Sequence, residues 1–269
     1  MKIGIIGCGA IGSAVAKAAC RIREVEELRL LDLDDGLAKA MAKETGGKPC
    51  AHDGFSEFLT GLDLVIEAAS QEAVVRYGKN VLDEGCDLMV LSVGALGSKA
   101  LFDSLCRAAI AKGARIYVPS GAVAGMDGVY AASQAGLEEV VLTSSKPPEG
   151  FKGAPYLDKK GIVLDGITHP KIIFEGPASE AVKAFPKNIN VAATLSLCGL
   201  GLEGTKVRII ADPGSTRNKH EIYVRGAFGE LRMEVQNVPS PQNPRTSYLA
   251  ALSAIGCLKK ITSGVWIGI

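Results

Sequence analysis

Aromatic residues are scarce in this chain, at 5% with a single Trp. No apolar run approaches the roughly 18 residues that a membrane-crossing helix needs, so no membrane span is predicted. Net charge is missing too: 30 Lys and Arg against 29 Asp and Glu leave a formal charge of +1. Such a balance carries no electrostatic footprint for nucleic acid or for an acidic membrane surface. The seven cysteines (Cys8, Cys20, Cys50, Cys86, Cys106, Cys198 and Cys257) include no C-x-x-C pair, so neither a zinc site nor a redox dithiol is indicated. Most of them sit inside apolar runs, where a reduced thiol behaves as a small hydrophobe, and a reducing cytoplasm suits them. The N-terminus shows no cleavable hydrophobic region. Histidine is the last scarcity, with only His52, His169 and His220 available for proton transfer.

Apolar residues, at 47% of 269, are ample for two cores, and two lobes is the natural prior for this length. Short apolar runs at Lys2–Ile6, Leu28–Leu33, Leu64–Ala68, Leu88–Val93 and Ala114–Val118 alternate with segments of helical spacing. The helical segments are Ile11–Arg23, Gly36–Thr45, Gln71–Glu84 and Lys99–Lys112. Regular alternation implies β-α-β units, a parallel sheet and, by the handedness of crossovers, a doubly wound α/β fold.

After Pro119 the rhythm changes. Ser120–Gln134 reads as a glycine-rich loop entering a helix, and Pro186–Leu200 as a helix beginning near Asn190. Strand-like runs follow at Glu139–Ser144, Ile172–Glu175, Lys206–Ala211, His220–Gly226 and Gly229–Gln236, the last two forming a hairpin through Ala227-Phe228. The second domain is therefore expected to be α+β with a mostly antiparallel sheet. Lys146–Gly166, rich in proline, glycine and lysine, is expected to be a mobile surface loop. Asn243–Ile261 returns to helical character, with Pro244 suited to a first turn. The expected domains are a Rossmann dinucleotide-binding domain over 1–120, completed by a C-terminal helix in 243–269, and a catalytic and dimerisation domain over 121–242. The short apolar end Ile261–Ile269 is expected to pack on the protein or on a second subunit rather than to anchor it.

The strongest motif is Gly7-Cys-Gly9-Ala10-Ile11-Gly12, placed directly after a buried-strand run and opening an amphipathic helix. Gly7 permits the tight turn, Gly9 lets a pyrophosphate approach the backbone, and Gly12 lets helix and strand pack closely. The free N–H groups of the helix start then meet the phosphates. Asp32 stands twenty residues after Gly12, where a carboxylate accepts from the adenine ribose hydroxyls. Carboxylates at Asp32, Asp34 and Asp35 favour NAD, while NADP remains compatible if Lys39 or a loop arginine reaches across. Small residues after two further strands, including Ala69 and Ser70 and the stretch Ser92-Val-Gly94-Ala95, leave room for the nicotinamide half.

For the chemistry, His52 and His169 read as surface residues. His220 follows the polar run Arg217-Asn218-Lys219 and leads into an apolar strand, and an imidazole suits proton transfer near neutrality. The same run also reads as a solvated turn. Ser120, Gly121 and Ala122 precede a helix and offer backbone N–H groups to a substrate carboxylate, or serve as a hinge.

Taken together, these residues make the chain resemble the L-aspartate dehydrogenases. The likeness rests on the glycine motif, Val118-Pro-Ser-Gly-Ala-Val-Ala-Gly125, Phe174-Glu-Gly-Pro-Ala178, Phe185-Pro-Lys-Asn-Ile-Asn190-Val-Ala-Ala-Thr194, and Ala211-Asp-Pro-Gly214 through His220. The resemblance implies oxidation of L-aspartate to iminoaspartate with NAD or NADP. The imine then yields oxaloacetate and ammonia, or passes on toward the pyridine ring of NAD. It further implies a homodimer, His220 as the catalytic histidine, and Ala124 and Asn190 as contacts to the cofactor near its nicotinamide end. Asn218 or Lys219 would orient a carboxylate or water, and Arg217 is the alternative carboxylate partner. Two rival readings stay on the table. One is a reductase of the dihydrodipicolinate reductase or homoserine dehydrogenase type, disfavoured in the first case by the lack of a His-His pair. The other is a non-catalytic NAD sensor.

Overall fold

The computed structural model describes residues 1–50, 54–185, 190–241 and 243–268. His52 and the stretch 186–189 of the fourth resemblance motif lie outside them. The chain divides into two compact units, Met1–Pro119 with Ala251–Ile267, and Ser120–Ala250 with the last two residues.

The first unit runs β1 (Lys2–Ile6), α1 (Ala10–Ala19), β2 (Glu27–Leu31), α2 (Asp35–Thr45), β3 (Lys48–Cys50), α3 (Phe55–Leu59), β4 (Leu64–Glu67), α4 (Gln71–Asp83), β5 (Asp87–Val90), α5 (Lys99–Lys112) and β6 (Ile116–Tyr117). All pairings are parallel, in the order β3-β2-β1-β4-β5-β6. Strands buried on both faces need continuous apolar runs, and Ile3, Ile5, Leu64, Val65 and Ile66 have no exposed surface. Helix boundaries follow local chemistry. The Asp34 carboxylate accepts from Gly36 N to start α2, and Gly46 in the left-handed conformation ends it.

The second unit holds α6 (Met126–Ser133), β7 (Leu137–Lys146), α7 (Pro155–Lys160), β8 (Lys171–Pro177), α8 (Ala178–Ala184), α9 (Asn190–Cys198), α10 (Gly201–Gly204), β9 (Thr205–Ala211), β10 (Asn218–Gly226), β11 (Gly229–Asn237), β12 (Pro239–Ser240) and β13 (Asn243–Ser247). Its main sheet has the order β11-β10-β7-β9-β8, antiparallel throughout except for the β7–β9 pair. The hairpin β10–β11 closes with Gly226 opposite Gly229. Alternation assigns Val140, Leu142, Val207, Ile209, Ile222 and Val224 to a buried face, and Leu195 of α9 belongs to the same core. Helix α11 (Tyr248–Thr262) carries the chain back to the first unit, where Ala254 and Leu258 are fully buried with Ile3, Val15 and Leu28.

Two expectations are corrected, and one unpredicted strand is added. Residues 243–247 form a strand, and the helix begins five residues later than its predicted start, at Tyr248. Pairing with β12 overrides the first-turn preference of Pro244, and a two-stranded edge tolerates proline. Lys146–Gly166 is no structureless loop: it holds the end of β7, a 3₁₀ turn over Pro148–Phe151 and helix α7. Phe151 and Leu157 are the apolar anchors that order it, at 2% and 7% exposure. Strand β3 was not expected, because Lys48-Pro-Cys50 has too little apolar pattern to announce a strand. Val265, Trp266 and Ile267 are exposed on this chain, with Lys260 stacked on the Trp266 ring, which leaves the second-subunit alternative for this end as an expectation.

Candidate active site

In the first unit the glycine motif forms the turn between β1 and α1. Gly7 has φ +97°, and a Cβ there would meet the Ala68 backbone at 2.8 Å. A Cβ on Gly12 would stand 1.8 Å from the Gly7 carbonyl oxygen, so this close helix–strand approach demands glycine. A Cβ on Gly9 would instead point into open space. Ala10 and Ile11 start α1, whose cap makes no side-chain hydrogen bond and whose first turn has no acidic residue. Its N–H groups and positive dipole end are thus left to an anion.

Asp32 follows β2 and fastens this turn. Its carboxylate accepts from Cys8 N at 2.6 Å and from Asp34 N at 2.9 Å. A carboxylate has about four acceptor positions, so capacity for a diol remains. Gly7, Gly9, Asp32, Ala69 and Ser70 line one cleft of about 340 Å³, together with Arg76 and others. The cleft opens where the strand order reverses between β1 and β4, the crevice in which open α/β sheets take dinucleotides. Open space at Gly9, an uncapped helix start and an acceptor beside them fit a nicotinamide dinucleotide. Ser70 also has a local duty, since its hydroxyl caps α4 by accepting from Ala73 N.

One residue here escaped the sequence reading. Glu67, at the end of β4, is 1% exposed. Its Oε1 accepts from Ala69 N, Ser70 N and the Ser92 hydroxyl, and its Oε2 from Ser92 N. Burial raises its carboxyl above the usual range, against the pull of those donors. It ties together the two loops that were expected to flank the nicotinamide.

The second unit contains His220, 4% exposed on the buried face of β10. Its Nδ1 lies 2.8 Å from the hydroxyl of Ser144, the residue opposite it on β7. Burial pushes the imidazole down to about 3, with the nearby Lys146 charge contributing, so the ring is neutral at pH 7. Lys146, half-buried at the end of β7, is itself pushed down to about 8 by burial. Ala122 is drawn to the same end of the sheet. Its carbonyl accepts from the Asn237 side chain, and Asn237 pairs in register with Asn218. Asn218 in turn donates to the Ser247 hydroxyl at 3.4 Å.

Ser120 and Gly121 enter this loop, and Ala124 is exposed on it. Asn190 is exposed at the start of α9, where its carbonyl accepts from Thr194. Lys219 is not brought to His220. Neighbouring residues of a strand face opposite ways, and the Lys219 ammonium is held on the other face by Glu221 and Glu234 at 3.2 and 3.1 Å. Arg217 is exposed in the preceding turn, and His169 is exposed as expected. Among the described residues no group of three or more His, Cys, Asp or Glu is placed to hold a metal ion.

A Rossmann unit with a glycine-lined cleft, followed by an α+β unit carrying one buried histidine, is the architecture of two-domain NAD(P)-dependent dehydrogenases. Residues 127–261 match the family model described as "Aspartate dehydrogenase, C-terminal", and residues 7–119 match "Homoserine dehydrogenase, NAD binding domain". The chain belongs to the aspartate dehydrogenase family. It is 49% identical to the L-aspartate dehydrogenase of Methanosarcina acetivorans over 100% of this chain and 99% of that one. The Methanosarcina barkeri L-aspartate dehydrogenase is 50% identical with the same coverage. The crystal structure of aspartate dehydrogenase from Thermotoga maritima superposes with a TM-score of 0.79 at 27% identity, covering 100% of this chain and 99% of that one. The fold expectation, a doubly wound parallel sheet with a second, mostly antiparallel α+β domain, is thereby met.

Proposed function

We propose that this protein oxidises L-aspartate to iminoaspartate, which water converts to oxaloacetate and ammonia, and that it runs the reverse reductive amination. The observation that carries the reading is the buried His220–Ser144 pair, inside the unit that matches the aspartate dehydrogenase C-terminal model. NAD, when bound, supplies the acceptor for the hydride from the substrate Cα. Gly7, Gly9, Ala10, Ile11 and Gly12 hold its pyrophosphate, Asp32 its ribose, and Ala69, Ser70, Ala124 and Asn190 the nicotinamide half. The Asp32 carboxylate disfavours a 2′-phosphate, so NAD is preferred over NADP.

His220 enters the reaction unprotonated. Ser144 orients the ring, which leaves Nε2 to accept a proton from the substrate amine and later from the attacking water. The negative charge of a bound dicarboxylate favours the charged imidazolium and so raises the basicity of His220 when it is needed. Ser120, Gly121 and Ala122 offer backbone N–H groups to a carboxylate, and Asn218 positions a carboxylate or water. The sequence-based assignment of Lys219 to the substrate loses support, because its ammonium is engaged on the opposite face.

The test is NADH formation with L-aspartate beside D-aspartate, L-glutamate and L-homoserine, with NAD and NADP in parallel, and the reverse reaction from oxaloacetate and ammonia. Turnover confined to L-aspartate is expected, and L-homoserine is the sharpest control given the match of residues 7–119. His220→Ala should lower turnover by a factor on the order of 10² or more with NADH binding intact. Silence with every amino acid alongside tight NADH binding would sink the reading. The protein is further proposed to be a cytoplasmic homodimer. Its seven thiols are all free, as a reducing compartment keeps them, and exposed Val265, Trp266 and Ile267 offer apolar surface to a second copy. Sedimentation equilibrium at twice the 28.0 kDa chain mass is the expected result.

A further inference from the structure

The inner face of the second sheet is apolar almost to its end. On β7 the sequence of that face is Val140, Leu142, Ser144, Lys146, and on β10 it is Val224, Ile222, His220, Asn218. On β9 it is Thr205, Val207, Ile209, Ala211, and on β11 it is Leu231, Met233, Val235, Asn237. Lys146 is therefore the one Lys or Arg that the register assigns to this face of the four strands. It stands two residues from Ser144, about 6.7 Å along the strand, and Ser144 is the residue that holds His220.

The remaining cations of these strands are assigned to the other face. Lys206 and Arg225 meet Glu139, Arg208 meets Glu175, Arg232 meets Glu230, and Lys219 meets Glu221 and Glu234. A substrate with two carboxylates cannot enter a half-buried site without a cation or donors to meet them.

We propose that Lys146 binds a carboxylate of the substrate next to His220, and that it, rather than Lys219, makes the second unit selective for a dicarboxylic acid. The assignment rests on the aspartate reading for the identity of the substrate. Its binding chemistry is separable from turnover. Succinate has both carboxylates and no amine, so it reports on the carboxylate site alone.

The experiment measures four quantities on the wild type, Lys146→Met, Lys146→Arg and Lys219→Met. These are KM and kcat for L-aspartate, the Kd of succinate for the NADH complex by calorimetry, the Kd of NADH, and Tm. Lys146→Met keeps the length and apolar stem of the side chain. It should weaken succinate and raise the aspartate KM by about 10²-fold or more. NADH affinity should not move, and the variant should stay folded at the assay temperature. Lys146→Arg should recover most of the succinate affinity, and Lys219→Met should leave it unchanged. Unaltered succinate binding in Lys146→Met overturns the assignment. So does a fall in Tm with succinate and NADH affinity lost together, which marks a structural role. If Lys146→Met does not fold, Lys146→Arg is judged alone, and a fall of its succinate and NADH affinities by the same factor overturns the assignment. A wild type that binds succinate but fails to oxidise L-aspartate counts against the aspartate reading, and Lys146 is still judged by the succinate series.

Discussion

At the scale of single residues, His220 shows how a fold can hold a base ready without charging it. In an unfolded chain its pKa lies near 6.5, and in the folded protein it falls to about 3. Between these values the unfolded state binds the extra proton, so stability rises with pH through that window. The contribution is complete above pH of about 6.5 and is lost as pH falls toward 3. Each pH unit inside the window costs up to about 1.4 kcal/mol. Urea unfolding of wild type and His220→Gln at pH 7, 6, 5 and 4 isolates this term, because the carboxylates common to both cancel. The wild type should lose stability faster on acidification, and parallel curves would remove the imidazole as the cause. The same shift bears on rate. The kcat/KM profile reports groups of the free enzyme, so no limb belonging to His220 should appear near pH 6.5. The residue itself was legible in the sequence from its polar neighbours. Its partners Ser144 and Lys146 were not, since they lie 76 and 74 positions away and meet it only through the β7–β10 register.

At the scale of elements, Glu67 couples the ends of two strands. One carboxylate receives three N–H groups and one hydroxyl from the loops after β4 and β5. Replacing it by Gln turns one oxygen into a donor, which then faces a backbone N–H or the Ser92 hydroxyl. A buried donor left without an acceptor costs about 1–3 kcal/mol. Burial has raised the Glu67 pKa, so removing its charge relieves some desolvation and offsets part of that cost. The lost acceptor should win, because four donors converge on the group and only the full carboxylate can serve them all. Glu67→Gln is therefore expected to lower Tm and to weaken NADH binding, both measurable without turnover. Unchanged values for both would mean that the loops hold their shape without it. The sequence marked Ala69 and Ser70 and left Glu67 inside the apolar run Leu64–Ala68. A carboxylate closing an apolar strand is the signal that would have found it, since such a group stays buried only if donors meet it. Elements with a strong period, such as α4 and the hairpin β10–β11, were readable from sequence. Those set by pairing or by one or two anchors were not: β3, β13 and the 146–166 segment owe their form to a neighbour strand or to Phe151 and Leu157. Lys219 is a case of parity. Sequence proximity to His220 suggested a shared site, and the period of two along a strand puts adjacent residues on opposite faces.

For the molecule as a whole, the first unit is discontinuous in sequence: Met1–Pro119 is completed by Ala251–Ile267 after the second unit has been threaded between them. The dinucleotide cleft therefore belongs to a core that is finished only by the last helix, through Ala254 and Leu258. Leu258 has no exposed surface, and truncating such a leucine costs about 2–5 kcal/mol depending on how far the cavity collapses. A ligand that binds the native state at about 100 times its Kd adds about 2.7 kcal/mol. The two terms are of similar size, so they test each other. Leu258→Ala should melt several degrees below wild type, and NADH at that excess should restore a large part of the loss. Its intrinsic NADH affinity should change little at a temperature where the variant is folded, because Leu258 does not line the cleft. A Leu258→Ala protein with the wild-type Tm would show that α11 is not part of the cofactor unit's core. A lowered Tm that NADH fails to raise would instead place the dinucleotide on a part of the chain that melts independently of Leu258.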